Sequence, residues 1–158
     1  MERIKKLVAC WILLSLLSFS LGAQTSQPEQ LKQVIEVFFE GLQNGDTLKI
    51  KQTLASTALL QTAYKNKEGK SVLRNDDYTR FIKAIGSKNP EDIWEEKLLS
   101  YNIQVDGNMA NVWTPYEFYF NNKFSHCGVN SFQLFHDGSD WKIIYLIDTR
   151  RRSGCKED

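Results

Sequence analysis

The sequence predicts an α+β domain in which N-terminal helices cover one face of a curved antiparallel sheet. Two features of its 158 residues carry that expectation. Residues 101–152 read as three or four antiparallel strands joined by tight turns, and residues 26–54 and 75–86 place apolar side chains at helical spacing between turn signals. No internal repeat, low-complexity segment or inter-domain linker divides the chain.

The chain opens with a short basic segment at residues 1–6, a 15-residue apolar run at 7–21 and the small-residue sequence Ser20-Leu21-Gly22-Ala23. That layout is a secretory signal peptide, so residues 1–23 are expected to be removed and residues 24–158 to form one exported domain, periplasmic or extracellular. The apolar run falls short of the roughly 20 residues that cross a bilayer, so no stable membrane insertion is expected after cleavage; an uncleaved anchor is the alternative. Leu7-Val8-Ala9-Cys10 looks like a lipoprotein box, but it precedes the apolar core instead of following it.

Of 20 Lys+Arg and 19 Asp+Glu, three and one lie in residues 1–23, which leaves 17 basic against 18 acidic residues. Such balance argues against nucleic acid as a partner. The run Arg150-Arg151-Arg152 is the one basic cluster and reads as a solvated strand end. Cys127 and Cys155 remain after cleavage. In an oxidising compartment they can bridge, contributing roughly 3 to 4 kcal/mol on a chain-entropy view, or stay as two free thiols.

Ser26-Gln27-Pro28-Glu29 has the spacing of a capping box, with Pro28 in the first turn. Leu31, Val34, Ile35, Phe38, Phe39 and Leu42 then form one broad apolar stripe. Asn44-Gly45 ends this helix, and Asp46 caps a second whose Leu48, Ile50 and Leu54 face inward. Residues 59–64 and 71–73 flank Asn66-Lys67-Glu68-Gly69 as a short exposed hairpin. Asn75 or Asp76 caps a third helix through Tyr78, Phe81, Ile82 and Ile85, closed by Gly86.

The turns of the sheet set its expected register. Asp106-Gly107 places Ile103 opposite Ala110, Tyr101 opposite Val112 and Leu99 opposite Thr114, with Trp113 on the other face. Further turns lie at residues 121–123 and 136–140. Pairing Phe135 with Trp141 then sets Phe132 against Ile144, Asn130 against Leu146, Gly128 against Asp148 and His126 against Arg150. The opposite face receives Cys127, Val129, Ser131 and Gln133 with Ile143, Tyr145, Ile147 and Thr149.

The order of elements, the Phe38-Phe39 to Asn44-Gly45-Asp46 helix end, the Val105-Asp106-Gly107-Asn108-Met109-Ala110 hairpin and Gly138-Ser139-Asp140-Trp141-Lys142-Ile143 resemble the nuclear transport factor two-like superfamily. His126-Cys127-Gly128 and Asp148-Thr149-Arg150-Arg151 resemble its exported bacterial branch, labelled putative lumazine-binding. The resemblance covers essentially all of residues 24–158 and implies a cone: a bent sheet wrapped over the first helix, with a pocket between them. Members of the superfamily include isomerases, dehydratases, cyclases, binding proteins and non-catalytic partners, so the fold does not settle the function.

The residues expected to line such a pocket are Leu99, Tyr101, Val112, Thr114, Tyr116, Phe118, His126, Asn130, Phe132, Leu146, Asp148 and Arg150. His126 and Asp148 are the candidate acid/base pair of an isomerase or dehydratase-like enzyme; the commoner arrangement has Asp148 paired with Arg150 and His126 as a hydrogen-bonded rim residue. Metal binding is not expected, because His126 and Cys127 point to opposite faces of one strand and His136 lies in a turn. With no Gly-rich phosphate loop, no cofactor is expected either. Of Trp94, Trp113, Trp141 and Tyr145 several are expected on the face away from the helices, and the resemblance implies pairing through that surface, so a homodimer is expected; the alternative has Trp141 plugging the sheet's edge. The leading reading is an exported domain that binds a small molecule, ahead of the enzyme and of a non-catalytic protein-interaction module.

Overall fold

The computed structural model describes residues 26–155; the expected signal peptide lies outside the described residues. The first helix, α1 (Gln27–Asn44), carries Pro28 in its first turn. Ser26 sits at its N-cap, yet its side chain makes no capping bond, so the expected capping box does not form; the Gln30 N–H donates to the Ser26 carbonyl at 3.0 Å in the first turn. Gly45 ends α1 with φ of 68°, a left-handed conformation that glycine adopts without strain. Asp46 then caps α2 (Thr47–Thr53), accepting from the backbone N–H of Leu48 at 2.9 Å and of Lys49 at 3.2 Å. Ile50 and Leu54 are buried, whereas Leu48 is 69 % exposed on the far side of this short helix.

The next strand, β1 (Leu54–Lys65), is longer than the exposed hairpin arm expected from sequence, and β2 (Ser71–Asp76) folds back against it. Asp77, one residue beyond the expected cap, accepts from the Arg80 N–H at 2.8 Å and starts α3 (Tyr78–Gly86). Five further strands follow: β3 (Trp94–Leu98), β4 (Asn102–Asp106), β5 (Met109–Phe120), β6 (Lys123–His136) and β7 (Trp141–Arg150). They form one seven-stranded sheet in the order β2-β1-β7-β6-β5-β3, with β4 also paired to β5. All pairs are antiparallel except β1 with β7, which run parallel, so the sheet is mixed. The architecture is the α+β cone: a curved, unclosed sheet over N-terminal helices.

The core lies where α1 crosses the concave face. Phe38 and Phe39 each meet the Phe132 ring edge-on at 6.0 Å, and Phe38 stacks on Phe81 of α3 at 6.1 Å. Leu31, Ile35, Val112, Phe132, Leu134 and Ile143 are fully buried around them. At about 1.5 to 3 kcal/mol per buried side chain, this cluster is the main stabilising term of the domain.

The pairings differ from expectation, but most faces do not. The hairpin of β4 and β5 aligns Val105 with Ala110 and Ile103 with Val112 around Gly107-Asn108, two residues from the expected Ile103 with Ala110. Similarly, Phe132 aligns with Leu146 and Asn130 with Asp148. Side chains alternate along a strand, so a two-residue slip leaves each on its own face. A bulge does not. The extra residue Ile144 exchanges faces toward the β6–β7 turn, and Trp141 and Ile143 turn into the core, where Ile143 had been expected on the opposite side. Leu99 is not opposite Thr114: the chain breaks after β3, Leu99 bonds only through its N–H to Pro115 O (2.9 Å), and its side chain is 58 % exposed.

Two positions on the concave face are tightly determined. Gly128 admits no side chain, since a Cβ there would lie 1.7 Å from Thr149 O and 2.8 Å from the Tyr116 ring. Thr114 is fully buried and its hydroxyl has no hydrogen-bond partner among the described residues. Gly128→Ala is therefore expected to cost more than about 3 kcal/mol, read from urea unfolding, because backbone must move. Thr114→Val replaces an orphaned hydroxyl by a methyl and is expected to stabilise by about 1 kcal/mol in the same measurement; a lower midpoint would show that the hydroxyl has a partner.

Candidate functional site

Beyond the reach of the α1 core, the concave face stays open as a cavity of about 630 Å³. The sheet register explains its chemistry row by row. Across the strands, Val112, Phe132, Leu146 and Leu60 form an apolar row, and two residues further along come Thr114, Asn130, Asp148 and Thr62. Beyond those lie Tyr116 and Gly128, and then Glu96, Phe118 and His126 in line across β3, β5 and β6. The apolar walls are completed by Phe38, Phe39, Phe81 and Trp94, and Arg74, Asp76 and Arg80 stand at the rim. Asn121 fixes the edge of this arrangement: with Asn122 it makes a turn at positive φ, and it accepts from Ile93 N–H at 2.7 Å, which locks the start of β3 to the β5–β6 turn.

Asp148 is the polar centre. Only 7 % exposed, it accepts from Thr62 Oγ1 at 2.6 Å and from Arg150 Nε at 2.7 Å. The Tyr116 hydroxyl is shared between Thr149 O (2.9 Å) and Asp148 Oδ2 (3.2 Å), a reach made possible by the missing side chain at Gly128. Burial, followed by the Asp148 charge, holds the Tyr116 phenol far above its usual range, so it stays protonated and donates to these oxygens.

Glu96 is a cavity-lining carboxyl group that sequence reasoning missed. Its Oε1 accepts from Asn130 Nδ2 at 2.7 Å. Burial pushes its pKa up from 4.5 to about 7; the Asn130 bond opposes that rise and the nearby Asp148 charge adds to it. A carboxyl group lining a cavity and changing charge near neutrality is suited to proton exchange. The alternation Trp94, Glu96, Leu98 was the available signal, placing all three on one face of β3.

His126 and Asp148 lie on the same face, but no hydrogen bond joins them. Asp148 is held by Arg150, Thr62 and Tyr116, and His126 Nδ1 meets Ser125 Oγ at 3.1 Å. Burial, then Arg150, lowers the His126 pKa from 6.5 to about 4, with Arg152 adding to the effect and Asp148 opposing it. The imidazole is thus neutral at pH 7.

Of the other sequence-predicted lining residues, Phe118, Asn130, Leu146 and Arg150 line the cavity. Val112, Thr114, Tyr116 and Phe132 share that face but are buried in the packed region and do not line it. Tyr101 packs against the core, with Lys32 Nζ 5.6 Å from its ring centre, and Leu99 is outside altogether. Cys127 and Cys155 form a disulfide that ties the C-terminal tail to β6, and Cys127 also pairs with Arg151 through backbone bonds. Of the expected outer aromatics only Trp113 and Tyr145 face outward; Trp94 lines the cavity and Trp141 is in the core. Among the described residues no group of three or more His, Cys, Asp or Glu is placed to hold a metal ion.

The fold recurs in solved structures. An NTF2-like protein from Cytophaga hutchinsonii matches with a TM-score of 0.64 at 14 % identity, covering 80 % of this chain and 100 % of that one. The beta subunit of a putative aromatic-ring-hydroxylating dioxygenase from Novosphingobium aromaticivorans gives 0.64 at 10 % identity over 78 % and 88 % of the two chains. The CaMKII hub of S. rosetta gives 0.63 at 11 % identity over 82 % and 100 %. No curated protein matches the chain. A family model described as putative lumazine-binding matches residues 26–145, most of the length, and with the cone fold this establishes that the chain belongs to the putative lumazine-binding family of NTF2-like domains.

Proposed function

We propose that this chain is an exported domain that holds a small, partly aromatic or amphipathic molecule non-covalently between α1 and the sheet. The observation that carries the reading is the cavity itself: about 630 Å³, walled by Phe38, Phe39, Phe81, Trp94 and Phe118, with Glu96, Asn130, Asp148 and Arg150 gathered at one end. Apolar walls with a few convergent polar groups are the usual make-up of a small-molecule site. The hollow also favours ligand binding over an interaction module with a vestigial pocket. Met109, Trp113, Phe135 and Ile144 remain exposed on the outer face, which supports pairing with a second copy.

A second reading, a proton-transfer enzyme, is favoured by one observation, the Glu96 carboxyl with its pKa near 7 inside the cavity. Glu96 serves acid/base chemistry better than the His126 and Asp148 pair, which is not hydrogen-bonded and whose imidazole takes up a proton only near pH 4.

Ala84 lines the cavity from the exposed side of α3, so a large side chain there plugs the mouth without entering the core. The fluorescent probe N-phenyl-1-naphthylamine is expected to bind the native chain, and Ala84→Trp to weaken that binding by roughly tenfold or more. Equal binding by both would contradict the site. Glu96 yields a pH prediction with a definite sign. Its folded pKa is raised, so its favourable contribution is complete below about pH 4.5 and lost as pH rises through about 7. Glu96→Gln is expected to stabilise the fold above neutrality by up to about 3 kcal/mol and to change nothing in acid, measured as the difference in thermal unfolding across pH. A pH-independent difference would place the Glu96 titration outside this range.

A further inference from the structure

The cavity does not end at its rim. It continues into a groove of about 1280 Å³ between the tip of the β1–β2 hairpin and the end of β7, and the two share Thr62, Arg74, Ser125, His126 and Arg150 as lining residues. The charges along this path are one-sided. At the junction Arg74 is paired with Asp76 at 3.0 Å and Arg150 with Asp148 at 2.7 Å. Further out the groove is lined by Lys65, Lys67, Arg151 and Arg152, and no carboxylate lines it. None of these four has an ion-pair partner among the described residues. The junction senses that field: after burial, Arg150 and Arg152 both help hold His126 neutral.

The cations are fixed to the cavity by the backbone, and this separates the groove from an ordinary solvated tail. Cys127 is bridged to Cys155, and its backbone exchanges two 2.9 Å hydrogen bonds with Arg151. Arg151 Nε donates to Gly154 O at 3.1 Å, which holds the tail folded over the end of the sheet. Tyr64 aligns with Arg150 across the β1–β7 pair, so the hairpin carrying Lys65 and Lys67 is set by the same register. A hollow with aromatic walls that opens onto a fixed one-signed groove discriminates by charge as well as by shape.

Building on the small-molecule reading above, we propose that the ligand is an amphipathic organic acid. Its apolar body fills the aromatic chamber, and its carboxylate, sulfonate or phosphate extends past Arg150 into the groove of Lys65, Lys67, Arg151 and Arg152.

Two probes with one skeleton test this, N-phenyl-1-naphthylamine, which is neutral, and 8-anilino-1-naphthalenesulfonate, which carries a sulfonate. The full chain is expected to bind the sulfonate roughly tenfold more tightly than the neutral probe, with the two competing for one site. The triple variant Lys65→Gln, Arg151→Gln, Arg152→Gln should abolish that preference, as should high ionic strength, while affinity for the neutral probe stays as it was. Equal affinity of the two probes for the native chain overturns the proposal but leaves the chamber reading intact. A preference untouched by the triple variant, or sulfonate binding that survives the Ala84→Trp plug, also overturns it. Failure of both probes to bind overturns the chamber reading and this proposal together.

Discussion

A carboxylate buried on a middle strand must find donors, and Asp148 finds them on three strands of the sheet. Thr62 on β1, Tyr116 on β5 and Arg150 on β7 itself converge on its two oxygens. An unpaired charge at this depth would cost several kcal/mol, so the strands are bound to the relative positions that keep these bonds. Two other features follow from that constraint. Gly128 must lack a side chain so that Tyr116 can cross to Asp148 and Thr149, and β1 must lie parallel beside β7 so that Thr62 arrives alongside.

The same constraint keeps the cavity open. Helix α1 packs Phe38 and Phe39 onto the row containing Phe132, where both meet that ring. Beyond it the polar groups are committed to one another, Glu96 to Asn130 and Asp148 to its donors, and no further apolar side chain can be driven down upon them. A hollow with apolar walls and a satisfied polar end results. At the rim a single carboxylate, Asp76, is shared by Arg74 and Arg80, which leaves an excess positive charge there, and the adjoining groove adds cations that no carboxylate faces.

Much of this was legible in the sequence because alternation along a strand survives errors in pairing. Asn130, Phe132, Leu146 and Asp148 were placed on one face from a register that was two residues out, since an even slip preserves faces. What could not be read were the odd insertions. The bulges at Ser125 and Ile144 carry no glycine or proline to announce them, and the second turned Ile143 and Trp141 inward. Glu96 was passed over because Glu95-Glu96-Lys97 looks like a solvated charged run; only the pairing of β3 with β5 shows that one of the three looks into the cavity. The parallel seating of β1 rests on contacts to a strand some 80 residues away, beyond any local pattern. The division between packed core and open cavity was equally hidden, which is why Val112, Thr114, Tyr116 and Phe132 were read as lining residues although α1 and their neighbours bury them.

Ligand binding in this fold requires a preformed hollow between α1 and the polar end of the sheet, and a crystal structure of the protein grown with N-phenyl-1-naphthylamine tests for it most directly. Electron density for the probe is predicted between Phe81, Trp94 and Phe118, with the Asp148 hydrogen bonds to Thr62, Tyr116 and Arg150 unchanged. A sheet whose aromatic side chains have closed the space, with the probe elsewhere on the surface or absent, would contradict it.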